Sequence, residues 1–118
     1  MTKIEVLEWD YGSVLIEVKE TVSFKCLSGP ATALIEVRYV PICHILEFVS
    51  FRNWLKTEPE LKEGIVEEIA SRIYKKLMQA LWPAELEVVA RVGGNVFESD
   101  LSKHGPTMVQ IGKVNYQG

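Results

Sequence analysis

Two cysteines are the strongest nucleophiles of this 118-residue chain, and Cys26 lies in Phe24-Lys25-Cys26-Leu27-Ser28-Gly29-Pro30. A Ser-Gly-Pro turn after a strand-like run holds a side chain in place and leaves it accessible. A thiolate presented in this way can add to an electrophilic carbon and form a covalent intermediate. The competing reading is a small core hydrophobe at a strand end, because thiol reactivity is set by electrostatic surroundings that local sequence does not give. Cys26, Cys43, His44 and His104 carry the donor atoms zinc prefers. Cys43 and His44 are adjacent, however, and there is no Cys-x-x-Cys, so no metal site is expected.

The elements that must position Cys26 follow from periodicity. Residues 3–9, 13–19 and 22–26 alternate as short strands, and 31–40 alternates with Ala33, Ile35, Val37 and Tyr39 on one face. Pro41 closes that strand, since it has no N–H for a ladder. From Ile42 the period changes, and Ile45, Leu46, Val49 and Leu55 predict a first helix that includes Cys43 and His44. Thr57-Glu58-Pro59-Glu60 reads as a capping box opening a second helix. Ile65, Ile69, Ile73 and Leu77 form its buried stripe, and Trp82-Pro83 ends it. Strands are predicted again at 85–92 and 107–114, separated by Gly93-Gly94-Asn95 and the polar segment 98–106. Strands, two helices, then strands predict an α+β fold: an antiparallel sheet with two helices on one face.

Composition bounds the function. At 47% hydrophobic and 25% charged residues, 1–118 reads as a single soluble domain. No apolar run reaches the ~20 residues of a membrane span, and the N-terminus lacks a signal-length apolar core, so a cytoplasmic protein is expected. The net charge of −3 gives no basic excess of the kind that announces a nucleic-acid binder. Basic residues group locally at Arg72, Lys75 and Lys76, read as a solvated helix face, and at Lys103 beside His104.

Over roughly residues 20–97 the chain resembles the tunnel-fold proteins, specifically the nitrile reductase QueF and the QueF-like amidinotransferases of archaeosine synthesis. The resemblance is carried by Cys26-Leu27-Ser28-Gly29-Pro30 followed by Tyr39-Val40-Pro41, by Lys62-Glu63 where the family has a His-Glu pair, and by Arg91-Val92-Gly93-Gly94 after the long helix. It implies a Cys26 nucleophile that forms a thioimide with 7-cyano-7-deazaguanine in tRNA. It also implies a Glu63 that grips the Watson–Crick edge of the base, with Lys62 beside it. Ammonia would then give the amidine, and several subunits would close a tunnel as a homo-oligomer. Two departures are visible. The Glu-Ser-Lys-Ser-Leu-Lys string that serves NADPH in the reductases is absent, so no cofactor is expected. The family's general-acid aspartate falls near Ala31 or Thr32, which leaves water, Thr32 or another residue for proton transfer. The alternative is a non-catalytic tunnel-fold module that binds a purine, pterin or tRNA.

Overall fold

Alternation of apolar and polar residues over three long segments produces one sheet with a dry face and a wet face. The computed structural model describes residues 3–93 and 107–115. Its elements are β1 (Val6–Glu8), β2 (Ile16–Cys26), β3 (Gly29–Val40), β4 (His44–Leu46), α1 (Phe48–Thr57), a single 3-10 turn (Pro59–Leu61), α2 (Val66–Leu81), β5 (Glu85–Gly93) and β6 (Thr107–Asn115). The main sheet runs β2-β3-β5-β6 and is antiparallel throughout, while β1 and β4 form a separate antiparallel pair.

Register stacks the apolar positions in rows. Val37 lies between Val18 and Val88, and Tyr39 between Ile16 and Leu86. These residues share the face covered by the helices, where Ala33, Ile35, Val37, Leu86, Val88 and Ala90 are fully buried. The amphipathic α2 completes the core with Ile69, Ile73, Leu77 and Leu81, all without solvent exposure. Each such side chain contributes about 1.5–3 kcal/mol on burial. Tyr39 also ties the two sheets together, because its hydroxyl accepts the amide of Leu46 at 3.0 Å. Burial raises the Tyr39 pKa and keeps the phenol protonated.

The wet face carries charge. Arg38 lies between Glu17 at 3.4 Å and Glu87 at 3.2 Å, and Arg91 reaches Glu36 at 3.4 Å. Glu36 is buried all the same, and its Oε2 has no hydrogen-bond partner among the described residues.

The expected α+β sheet with two helices on one face is observed, and three local expectations are corrected. Residues 42–47 do not open a helix. His44–Leu46 is a strand, held where Trp9 N–H donates to the Cys43 carbonyl and Glu47 N–H to that of Glu5. The spacing of Ile45 and Leu46 suits either period, and these long-range bonds decide for the strand. The second helix does not open at Thr57-Glu58-Pro59-Glu60: Thr57 is the last residue of α1, where its hydroxyl donates to the Asn53 carbonyl at 2.7 Å, and a 3-10 turn follows. Gly64, at φ +134°, breaks the chain after the 3-10 turn, and α2 starts only at Val66. The two short strands expected at 13–19 and 22–26 are one strand, β2, with Val14 exposed ahead of it. Lys103, His104 and the polar segment 98–106 lie outside the described residues.

Candidate functional site

Cys26 ends β2 and pairs with Gly29 across the tip of the β2–β3 hairpin. Leu27 and Ser28 make the turn, and Gly29 takes φ +119°, a conformation that residues with a Cβ rarely adopt. Alternation along β2 places Cys26 on the side of Val22 and Phe24, facing the helices, and the sulfur is half-buried. Its Sγ lies 3.2 Å from the Ser28 hydroxyl and 3.2 Å from the Gly29 carbonyl. The Ser28 hydroxyl, followed by the backbone of Ser28, draws the Cys26 pKa below the ordinary thiol value, and partial burial acts in the opposite direction.

Glu63 comes from the connection between the 3-10 turn and α2. Lys25 holds that connection with its backbone: its N–H donates to the Lys62 carbonyl at 2.8 Å, and its carbonyl accepts the Gly64 N–H at 3.0 Å. Together they form a parallel bridge between Lys25 and Glu63 outside either sheet. Cys26 and Glu63, distant in sequence, therefore line one cavity of about 400 Å³ with Lys25 and Glu68. Leu27, Gly64 and Ile65 complete its wall. The volume falls within the range of small-ligand sites. Glu68 is held by Arg72 at 3.3 Å, and Arg72 donates to the Glu60 carbonyl at 2.6 Å.

Other expected site residues lie apart from this cavity. Lys62 contributes its carbonyl to the bridge, with its side chain exposed. Thr32 pairs with Ser23 and Gly93, which by alternation puts it on the opposite face of the sheet from Cys26. Arg72, Lys75 and Lys76 border a separate hollow of about 280 Å³ that Glu58 and Glu60 also line, so its charge is mixed. Cys43 is exposed just beyond the far end of β3, on the order of 30 Å from Cys26 given the strand's length. The two thiols share neither a disulfide nor a ligand set. Among the described residues no three His, Cys, Asp or Glu side chains cluster as a metal site.

No protein-family model and no curated protein sequence matches the chain. Among solved structures, it is similar to the crystal structure of the archaeosine synthase QueF-Like in the apo form, with a TM-score of 0.68 and 16% identity. The likeness covers 88% of this chain and 96% of that one. The two chains share a fold. No helix among the described residues is long and apolar enough to cross a membrane.

One residue beside the thiol and one in the cavity are not legible in the sequence as site residues. Ser28 is legible as a turn former, but its hydroxyl reaches the thiol only because the hairpin pairs Cys26 with Gly29. Glu68 looks like one more first-turn carboxylate of α2, and only the Lys25 bridge brings that turn to the cysteine.

Proposed function

We propose that this chain is a QueF-like amidinotransferase that converts 7-cyano-7-deazaguanine in tRNA to archaeosine. The observation that carries the reading is the single cavity shared by Cys26 and Glu63 on a fold common to an archaeosine synthase. The Cys26 thiolate adds to the nitrile carbon, a C–S bond forms, and one C≡N electron pair passes to nitrogen, which takes a proton from water. Ammonia then adds to the thioimide carbon, and the C–S bond breaks to leave the amidine and the free thiol. Glu63 accepts two hydrogen bonds from the N–H and amino group of the base, which discriminates against bases that lack those donors. No redox cofactor enters this chemistry. The partners are a tRNA bearing the nitrile base and ammonia in the cytoplasm, with copies of the chain closing a tunnel.

The second reading is a non-catalytic tunnel-fold module that binds a purine, pterin or tRNA. It is favoured by the residues at the general-acid position, Ala31 and Thr32, of which Thr32 lies on the face away from Cys26. Intact-protein mass spectrometry after incubation with free 7-cyano-7-deazaguanine separates the two. A mass gain of one whole base, absent in Cys26→Ala, is expected. No gain in folded wild-type protein would overturn the amidinotransferase reading in favour of the binding module.

A further inference from the structure

The hairpin tip does more to the thiol than present it. Ser28 is exposed in the turn, its Oγ is 3.2 Å from Sγ, and the Cys26–Gly29 pairing fixes both ends of that turn. The Gly29 carbonyl, also at 3.2 Å from the sulfur, can only accept. The two contacts favour opposite states. The carbonyl holds the S–H of the neutral thiol, whereas the hydroxyl can donate to a sulfur that has lost its proton.

We infer that Ser28 is a positioning residue that holds Cys26 as the thiolate ready for attack, by donating its O–H to Sγ. The inference rests on the reading of Cys26 as the nucleophile. In this step the S–H bond breaks, its proton leaves to bulk water, its electron pair stays on sulfur, and the Ser28 O–H turns from solvent to the anion. The hydroxyl outweighs the opposing carbonyl because a hydrogen bond to a charged group is about twice as strong as one between neutral groups. The direction of the Cys26 pKa, drawn down first by the Ser28 side chain, agrees with this geometry. Ser28 does not contact the base and supplies no proton to it. Its effect therefore falls on the ionisation of the thiol and not on recognition by Glu63.

The test is the pH dependence of iodoacetamide alkylation at Cys26, followed by peptide mass spectrometry in wild type, Ser28→Ala and Ser28→Thr. Ser28→Ala is expected to alkylate about fivefold more slowly at neutral pH, with its midpoint moved upward, as the loss of one hydrogen bond implies. Ser28→Thr, which keeps the hydroxyl, is expected to restore the wild-type profile. A Ser28→Ala profile that overlays wild type would overturn the inference, as would equal slowing in both variants, which would assign the effect to turn shape. A wild-type thiol that behaves in this way yet forms no adduct with the nitrile base would sink the amidinotransferase reading and leave the role of Ser28 intact.

Discussion

Lys25 serves the site through its backbone. Its amide and carbonyl bind the peptide groups on both sides of Glu63, so the backbone of Glu63 is fixed beside the end of β2 without a bond between the two side chains. Each can therefore be changed separately. Replacing Glu63 by Gln turns one of two acceptor oxygens into a donor that meets the donors of the base. Hydrogen bonds to a charged group contribute about 1.5–3 kcal/mol, so the base concentration for half-maximal adduct formation should rise about 10- to 100-fold. Iodoacetamide alkylation of Cys26 should be unchanged in that variant. Unaltered saturation in Glu63→Gln would show that the carboxylate does not hold the base.

The start of α1 shows how an element is set by contacts that sequence motifs miss. Glu47 caps α1 by accepting the Ser50 amide, and the Ser50 hydroxyl bonds the Glu47 carbonyl and the Glu5 amide, each at 2.9 Å. Donation from the Ser50 amide lowers the Glu47 pKa from its ordinary value. A carboxylate whose pKa is lowered by folding stabilises the fold above its unfolded pKa, and that contribution disappears as pH falls through the folded value. Urea midpoints of wild type should therefore drop more steeply than those of Glu47→Gln as pH falls below the ordinary glutamate range, about 4.3. Parallel acid limbs in the two proteins would remove the cap from this account. The Thr57–Glu60 motif, by contrast, leads into a 3-10 turn at Pro59–Leu61, and Gly64 separates that turn from α2. β3, β5 and the body of α2 were legible because long amphipathic runs allow one period, whereas β2 read as two strands parted at Glu20-Thr21. The three residues of β4 were not, because their pairing partner is at the far N-terminus.

At the scale of the whole molecule, β2 and β6 are the edges of the main sheet among the described residues, and edge strands invite further pairing. The Cys26 end of β2 is already met by the chain's own residues 62–64 through Lys25, so further pairing on this edge falls to the rest of β2. Cys26 itself was legible from its turn, but its meeting with Glu63 was not: a parallel bridge between a strand end and a loop has no period in sequence. Two apolar side chains stand exposed on the rim of the cavity, Leu27 fully and Ile65 at 43%. A second copy of the chain seated on Leu27 would cover this rim and complete the wall, as expected of an assembly that closes a tunnel. Sedimentation velocity should accordingly give a wild-type mass that is a whole multiple of one chain. Leu27→Glu should dissociate the assembly and leave the hairpin folded, since Leu27 projects from the turn and buries nothing within its own subunit. Base binding should weaken in parallel with dissociation, while iodoacetamide still labels Cys26. Wild type sedimenting as a single chain would refute the assembly. A Leu27→Glu variant that stays assembled would move the interface to the other edge of the sheet, at β6.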